Sequence, residues 1–264
     1  MSAPAASAAS EPSRVDGVPV LIRLPSGGAE GARVAVWLPY LGGTKETLLP
    51  VLERFADAGF IAVGVDPRGH GDRAEMPRDR LMASVISEFR RVMWPILGGT
   101  VLDVAQVIDW VVHDYGARPE SVVVGGISMG GDNAVAVAGI DPRVGTVAAI
   151  ASTPDWTRPG MTRVGEPDAP IVQGEPDAAG RWFYEQLNPL THLDHYQRPI
   201  RIRFDVGGVD THVPRDGATR FHASLADASV SPAVHVVIHD GLDHLDVATS
   251  QEVLDHAVAW LIKA

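Results

Sequence analysis

One stretch of ten residues, Val122–Gly131, constrains the fold of this chain more than any other segment. It reads VVVGGISMGG, so a β-branched apolar run leads into the pattern G-x-S-x-G centred on Ser128. Small residues with a helical pattern follow over Asn133–Ala138. A strand that passes through a sharp turn directly into a helix is the context of a nucleophile elbow. We therefore expect Ser128 to occupy a strained turn, with its hydroxyl clear of a sheet and close to a helix N-terminus.

The main alternative is a nucleotide-binding turn, because the chain has 27 glycines and a bare G-x-S-x-G arises often by chance. A phosphate-binding loop requires Lys-Ser or Lys-Thr after the glycines, and neither pair follows Gly131. A dinucleotide fingerprint that began here would need glycine at the position of Val124. Both requirements fail, so the pattern favours Ser128 as a catalytic nucleophile.

The composition excludes several classes of function. The 264 residues suffice for one large α/β domain, or two small ones, with an ample core. The net charge of −11 argues against nucleic acid and anionic membranes as partners, since it would repel their phosphates. The chain has no cysteine, which excludes disulfides, thiolate metal sites and cysteine nucleophiles. The expected partner is a small-molecule substrate.

The first 14 residues, MSAPAASAASEPSR, are rich in Ala, Ser and Pro and predict a disordered leader. They lack the basic start and the apolar core of a secretory signal. No continuous run approaches the ~18 apolar residues of a membrane span. We therefore expect a soluble, cytoplasmic protein in which residues 15–264 form a single domain.

Strand and helix patterns alternate along this domain, which predicts an α/β fold with a mostly parallel central sheet and helices on both faces. The predicted strands are Val18–Leu24, Arg33–Leu38, Phe60–Val65, Ser121–Gly125, Gly145–Ala151, Pro199–Val206 and Ala233–His239. The predicted helices are Glu46–Ala58, Thr100–Tyr115, Gly130–Ala138, Gly217–Ala226 and Asp246–Ile262. The first strand precedes the alternation, so it is expected at an antiparallel edge.

Two stretches interrupt the alternation. Residues 73–99 are predicted to be irregular or helical, with Met and Trp side chains. Residues 153–198 join two strands and carry several prolines and aromatic side chains. A connection of that length is unusual without a function, so we expect a small lid over the site. The alternative is a surface loop whose aromatic residues pack on the sheet.

The partners of Ser128 follow from its chemistry. A serine hydroxyl attacks well only when a base takes its proton, and that base needs an acid to orient it. Where a serine occupies a nucleophile elbow on an α/β sheet, the acid and then the base follow it in the chain, each after the C-terminal end of a strand. Asp210 follows the sixth predicted strand and His244 follows the seventh. These two residues are the predicted partners, with Asp155 as a rival acid and His212 as a rival base.

Four further histidines are expected to have structural rather than catalytic roles. His235 and His239 lie in the last predicted strand and are expected to pack there. His192 and His195, in the segment THLDH, resemble a metal-binding pair only loosely, and a solvated helical turn is the preferred interpretation. No metal ligand is therefore assigned.

Backbone N–H groups must stabilise the negative oxygen that develops during acyl transfer. One donor is predicted to be Met129, directly after the nucleophile, and the other to come from the loop after Arg33–Leu38. That loop reads PYLGGTKE over residues 39–46, and Leu41 is the candidate. Its glycines also suit a simple turn before the next helix.

Four segments make the chain resemble the α/β-hydrolases over residues 18–263. They are Gly126–Gly130, the D-x-R-G-H-G turn Asp66–Gly71, the segment Gly208–Pro214 and the late His244. Asp66–Gly71 is interpreted as structural and pocket-forming, so His70 is not the expected base. The turn Leu41–Glu46, the long central excursion and Asn188-Pro189 are most similar to compact bacterial esterases related to the dipeptidyl-peptidase hydrolases.

The resemblance implies hydrolysis of an ester or related acyl bond by Ser128, His244 and Asp210. It implies an acyl-enzyme intermediate and no metal or organic cofactor. Many relatives have His-Gly where this chain has Pro39-Tyr40, so Tyr40 is expected to narrow the acyl site or donate a hydrogen bond there.

The substrate pocket is expected to be apolar. Its predicted walls are Tyr40, Trp94, Trp156 and Trp182; the alternative is that these residues belong to the core.

Three other functions stay open. The same triad serves carbon–carbon hydrolysis, lyase chemistry or perhydrolysis on this fold. A peptidase is disfavoured because no extra N-terminal domain restricts access, and a non-catalytic binding protein is expected to lack a triad member.

Overall fold

An eight-stranded sheet forms the centre of the protein in the computed structural model, which describes residues 11–120, 122–226 and 232–264. The strands in chain order are β1 (Glu11–Val15), β2 (Val18–Arg23), β3 (Arg33–Leu38), β4 (Phe60–Val65), β5 (Val122–Ile127), β6 (Val144–Ile150), β7 (Thr162–Arg163), β8 (Glu166–Pro170), β9 (Arg201–Gly207) and β10 (Ala233–His239). Strands β7 and β8 form a separate hairpin, and the others make up the sheet.

The strand order across the sheet is β1-β2-β4-β3-β5-β6-β9-β10. β1 pairs antiparallel with β2, and β2 pairs antiparallel with β4. Every later pair in this order is parallel. β3, β4 and β5 are buried along almost their whole length, as expected of strands covered on both faces. The predicted sheet is confirmed with small shifts at strand ends, although Ser121 lies outside the described residues. The strand expected at the antiparallel edge, β2, is antiparallel but lies second from the edge, because β1 pairs outside it.

Helices cover both faces of the sheet. In chain order they are α1 (Leu49–Asp57), α2 (Arg78–Ser87), α3 (Phe89–Tyr115), α4 (Met129–Ile140), α5 (Ala178–Leu187), α6 (Asp216–Leu225), α7 (His244–Thr249) and α8 (Gln251–Ile262). One apolar core lies between the sheet and α3, α4 and α6. A second core lies between the opposite face and α1 and α8. The predicted α/β architecture is therefore confirmed.

The predicted disordered leader over residues 1–14 is wrong for residues 11–14, which belong to β1. The turn between β1 and β2 explains the difference. Asp16 and Gly17 adopt positive φ values of 48° and 87°, as a two-residue type I′ hairpin requires. Asp-Gly is a strong hairpin signal, and backbone pairing with β2 orders this segment despite its polar composition. Residues 1–10 lie outside the described part of the chain.

Helix α3 begins at Phe89, well before its predicted start at Thr100. Pro95 lies inside its N-terminal part, in the stretch for which the sequence left irregular or helical structure open. Gly98 allows the ring of Phe183 in α5 to approach closely, since a Cβ at this position would collide with that ring. Among the described helices, α3 alone is long and apolar enough to cross a membrane, and most of that stretch is buried inside the protein.

The excursion over residues 153–198 is anchored by buried hydrogen bonds. The Asn188 side chain is fully buried, and its Oδ1 accepts the backbone N–H of Trp156 at 2.8 Å. Trp94 in α3 donates its indole N–H to the Trp156 carbonyl at 3.0 Å. The hairpin β7–β8 reaches the segment after β9, where the Thr162 N–H donates to the Thr211 carbonyl at 2.9 Å. The excursion is therefore tied to the body of the fold at α3 and at the segment after β9.

A buried ion pair joins the loop after β3 to the loop after β4. Lys45 and Asp66 are 2% and 0% exposed, and the Lys45 ammonium donates to Asp66 Oδ2 at 2.8 Å. Asp66 Oδ1 also accepts the Lys45 backbone N–H at 2.8 Å. Burial alone would lower the pKa of Lys45, but hydrogen bonds to Asp66, Glu46 and Asp72 outweigh it and raise the pKa. This pair fixes the 39–46 loop against the body of the protein.

Candidate active site

The turn at Ser128 has the strained backbone that the sequence predicted. Its φ and ψ are 52° and −118°, between the end of β5 and the start of α4. The Ser128 N–H donates to the Ile150 carbonyl at 2.8 Å and holds the turn against β6. A Cβ at Gly126 would collide with the backbone of Gly130, and one at Gly130 would collide with Leu38. Glycine is therefore required on both sides of the serine.

An unbroken chain of hydrogen bonds joins Ser128, His244 and Asp210. His244 Nε2 lies 3.1 Å from Ser128 Oγ, and His244 Nδ1 lies 2.9 Å from Asp210 Oδ2. All three residues are buried, with relative exposures of 8%, 6% and 6% respectively. The structure therefore brings the three predicted catalytic residues together at the C-terminal edge of the sheet.

Each partner of Ser128 is itself held in place. Asp210 follows β9, and its Oδ1 accepts the backbone N–H groups of His212 and Val213, both at 2.8 Å. Oδ2 is left free to face the imidazole. His244 is the first residue of α7, whose N-terminus is closed by reciprocal hydrogen bonds between Asp243 and Asp246. These backbone bonds fix the carboxylate and the imidazole before any substrate binds.

This arrangement can move one proton. When Nδ1–H of His244 donates to Asp210, its Nε2 presents a lone pair that accepts the Ser128 hydroxyl hydrogen. Removal of that proton makes the serine oxygen a strong nucleophile, and the carboxylate stabilises the imidazolium that results. The geometry supports general-base activation of Ser128.

The rival acid and the rival base lie in other interactions. Asp155 binds Arg220 at 2.5 Å and the Thr157 hydroxyl at 2.6 Å. His212 contacts the ring of His244 edge to face at 4.9 Å, but its Nδ1 donates to the Thr162 carbonyl at 2.8 Å. Burial, followed by the nearby His244 and Arg158, lowers the pKa of His212 to about 4. His212 is therefore a neutral neighbour of the base.

The predicted oxyanion donors lie beside the serine. Met129 is the first residue of α4, so its N–H belongs to the unpaired first turn of that helix. Leu41 lies in the loop after β3 and lines the space next to Ser128. Among the described residues, no acceptor is found for the N–H of either residue. Both groups are free to bind a substrate oxygen.

Two cavities share the wall that holds Ser128. The inner cavity has a volume of about 220 Å³ and the outer cavity about 440 Å³. Besides Ser128, the inner cavity is lined mainly by apolar residues: Leu41, Met82, Val85, Ile86, Phe89, Met93, Met161, Val164 and Ile171. His244 and Tyr40 line the outer cavity. Tyr40, predicted as a pocket residue, therefore lies close to the nucleophile.

The other three aromatic residues predicted for the pocket do not line either cavity at Ser128. Trp94 is buried against Tyr184, with ring centroids 4.4 Å apart. Trp156 is fully buried in the core, and Trp182 is half exposed on the surface of α5. The prediction for Trp94, Trp156 and Trp182 is wrong. Trp94 and Trp156 join α3 to the excursion. Trp182 instead lies against Phe183 on the surface of α5.

Helix α2 supplies part of the wall that the sequence did not assign. Met82, Val85 and Ile86 lie on one side of α2, and Phe89 continues that side at the start of α3. The spacing of three and four residues is the period of an amphipathic helix and was available in the sequence. Arg158 and the hairpin β7–β8 were not predictable, because they reach the cavity through tertiary packing.

Among the described residues, one cluster of His and Asp side chains, on a surface turn, is close enough together to hold a metal ion. The potential ligand atoms of His192, Asp194 and His195 lie within 4.8 Å of one another. The Nε2–H of His192 donates to the Glu185 carbonyl at 2.7 Å. The imidazole rings of His192 and His195 stack nearly parallel, with their centroids 5.2 Å apart. The lone pairs of a stacked pair lie in two parallel planes and do not converge on one metal ion. This geometry fits the predicted helical turn.

The turn Asp66–Gly71 is structural, as expected. His70 Nδ1 donates to the Arg68 carbonyl within the same turn at 2.8 Å. Arg68 makes two hydrogen bonds to Asp103, at 2.9 and 2.7 Å. Arg68 and Gly69 line a separate cleft and neither cavity at Ser128.

Comparison with known families is decisive for the class of protein. The sequence matches the profile of the prolyl oligopeptidase family over residues 50–264. The chain belongs to the prolyl oligopeptidase family. A comparison with curated proteins gives no significant match.

Solved structures similar to this prolyl oligopeptidase family member share its fold at low sequence identity. TT1662 from Thermus thermophilus is 19% identical, with a TM-score of 0.71 over 97% of this chain and 98% of that protein. A putative dienelactone hydrolase from Klebsiella pneumoniae is 13% identical, with a TM-score of 0.67 over 94% and 93%.

A puromycin-hydrolysing peptidase from Mycobacterium tuberculosis is 20% identical, with a TM-score of 0.72 over 98% of this chain. The present chain spans 40% of that longer peptidase. The predicted α/β-hydrolase fold and the relationship to dipeptidyl-peptidase hydrolases are therefore confirmed. This member of the prolyl oligopeptidase family is a hydrolase of the serine hydrolase superfamily.

The buried His212 predicts a pH dependence of stability. Its pKa is about 4 in the folded protein and about 6.5 in an unfolded chain. Between these values the unfolded chain binds a proton that the folded protein does not. This contribution to stability is thus present above pH 6.5 and is lost as the pH falls toward 4.

We expect His212→Asn, which retains a donor toward the Thr162 carbonyl, to remove this dependence. Its free energy of unfolding, measured with urea, should fall between pH 7 and pH 5 by about 2 kcal/mol less than that of the wild type. His222→Asn, on the exposed surface of α6, should follow the wild type. Identical pH dependence in His212→Asn and wild type would contradict the assignment.

Proposed function

We propose that this protein hydrolyses a carboxylic ester of a small, mainly apolar substrate through an acyl-enzyme on Ser128. The observation that carries the proposal is the hydrogen-bonded chain from Ser128 through His244 to Asp210, at a junction of two largely apolar cavities. Membership of a serine hydrolase family supports the same chemistry.

In the first half of the reaction Ser128 Oγ attacks the ester carbonyl carbon while His244 Nε2 takes its proton. The carbonyl oxygen becomes negative and receives hydrogen bonds from the N–H groups of Leu41 and Met129. His244 then donates its proton to the leaving alcohol, and the acyl group stays on Ser128. Asp210 stabilises the imidazolium during both transfers.

In the second half His244 removes a proton from water, which attacks the acyl-enzyme and releases the acid. Because His244 protonates the leaving group, that group must lie on the side of His244. We therefore place the alcohol part in the outer cavity, which His244 lines, and the acyl part in the inner cavity.

Peptide hydrolysis is the second candidate, because the chain belongs to a family named for peptidases. Two features favour an ester. The inner cavity, which takes the acyl part, holds only about 220 Å³ and so has room for a short acyl group rather than for several residues of a peptide. Most of the side chains that line it are apolar and offer few partners to a polypeptide backbone.

Ser128→Ala tests the nucleophile. We expect hydrolysis of 4-nitrophenyl acyl esters to fall by a factor on the order of 10⁶ in kcat, and labelling by a fluorophosphonate to disappear. Ser152→Ala, at a buried serine beside the elbow, is the matched control and should retain both activities. Full activity of Ser128→Ala would refute the mechanism. Cleavage of aminoacyl anilides with a kcat/KM close to that for the matched esters would favour the peptidase, since anilides are intrinsically far less reactive. Product analysis would reveal carbon–carbon cleavage or perhydrolysis.

Asp210→Asn tests the orienting acid. The amide keeps the size of the side chain but does not stabilise the imidazolium, so kcat should fall by about 10⁴. Asp155→Asn changes the rival acid in the same way and should leave kcat within a few-fold of the wild type, because Asp155 binds Arg220 instead. A larger loss for Asp155→Asn than for Asp210→Asn would reverse the assignment.

A further inference from the structure

The inner cavity contains one buried cation that the proposed mechanism does not use. Arg158 lies in the excursion after β6, is 3% exposed and lines the cavity next to Ser128. One of its terminal nitrogens donates to the fully buried Asp132, and its guanidinium lies 5.2 Å from the centre of the Phe89 ring. The Nε–H of Arg158 is sealed inside the protein, and its other terminal nitrogen has no hydrogen-bond partner among the described residues.

Such a donor is unusual inside a protein. Buried polar atoms are nearly always hydrogen-bonded, because an unpaired donor forfeits the bond it made to water. Arg158 also adopts a positive φ of 41°, and its carbonyl accepts the Gln173 side-chain amide at 3.1 Å. A strained residue that other contacts hold in place, with an unpaired terminal nitrogen, in the wall of the cavity that Ser128 also lines, indicates a binding role.

The charges around the cavity decide what kind of acceptor fits. Arg158 pairs with Asp132, which lies behind it and outside the lining. Arg163 and Glu166, opposite each other in the β7–β8 hairpin, add one charge of each sign. His212 is neutral near pH 7, as its low pKa requires. Counted together with Asp132, the charged groups at the cavity sum to zero, so burying a further charge there would be unfavourable. The unused donor calls for an uncharged acceptor.

We propose that the inner cavity binds an acyl chain that carries an uncharged carbonyl oxygen, and that Arg158 donates a hydrogen bond to this oxygen. The inference rests on the proposed function, because it takes the inner cavity as the acyl site. A volume of about 220 Å³ corresponds to about seven water molecules at ~30 Å³ each. The substrate class is therefore short oxo-acyl or amide-bearing acyl esters.

Arg158 would act as a specificity residue. A site built to hydrogen-bond a substrate discriminates against the analogue without the acceptor, since that analogue leaves the site's donor unpaired. A hydrogen bond to a charged donor has a strength that corresponds to a preference of about 10-fold to 100-fold.

The test compares three 4-nitrophenyl esters of the same chain length on the full protein: hexanoate, 5-oxohexanoate and the adipate monoester. We expect kcat/KM for 5-oxohexanoate to exceed that for hexanoate by about 10-fold to 100-fold. The adipate monoester, which has a terminal carboxylate, should be the poorest substrate. A preference for adipate would overturn the inference of an uncharged acceptor.

Arg158→Lys is the diagnostic variant. Lysine keeps a positive charge beside Asp132 but lacks the second terminal nitrogen of the planar guanidinium, so the oxo preference should fall to within about 3-fold of unity. Arg201→Lys, at an arginine over the Trp260 ring, is the matched control and should keep the preference, because Arg201 begins β9 at the end of the strand opposite the site. If Arg158→Lys does not fold, the double variant Asp132→Leu/Arg158→Met replaces the whole buried pair and should show the same loss.

A binding measurement separates this inference from the proposed function. Ser128→Ala should bind 5-oxohexanamide more tightly than hexanamide in NMR titrations, and adding Arg158→Lys should abolish the difference. Ser128-dependent esterase activity without an oxo preference, or with one that survives Arg158→Lys, overturns the inference and leaves the proposed function standing. If no ester is cleaved, the proposed function fails and the amides decide: equal binding overturns the inference, and an Arg158-dependent difference upholds it.

Discussion

The two hydrogen bonds of His244 are the interaction on which the site depends. They join residues from three separate strand ends, and they form only if those strands end at the same edge of the sheet. The parallel register of β10 with β9, in which His239 pairs with Gly207, places Asp210 and His244 after neighbouring strands. β5 lies two strands away in the sheet and presents Ser128 at the same edge. The strand order and register of the sheet thus determine the distances between Ser128, His244 and Asp210.

The elbow shows how local strain is compensated by packing. A positive φ is costly for a residue with a side chain, and Ser128 keeps it because β5 and α4 fix the chain on both sides. The glycines at positions 126 and 130 leave room for close backbone contacts that any side chain would prevent. The same geometry leaves the Met129 N–H at a helix N-terminus, where a negative oxygen is stabilised. Strain and charge stabilisation therefore arise from one turn.

Features set by local sequence could be predicted, and those set by distant contacts could not. The strands, the elbow and the order of Ser128, Asp210 and His244 follow from short patterns and strand ends. The pocket walls do not, because a large ring such as Trp156 serves equally as core or as lining until its neighbours are known. Arg158 reaches the cavity only through the fold of the excursion. The hairpin at Asp16-Gly17 was a local signal hidden by the composition of the preceding residues.

A crystal structure of the protein after reaction with an alkyl fluorophosphonate would show whether Ser128 is a nucleophile served by an oxyanion hole at the mouth of the inner cavity. We expect phosphorus bonded to Ser128 Oγ and the phosphoryl oxygen within about 2.7–3.1 Å of the Leu41 and Met129 nitrogens. The alkyl group should lie in the inner cavity. An adduct on another residue, or a phosphoryl oxygen directed away from both nitrogens, would contradict this mechanism.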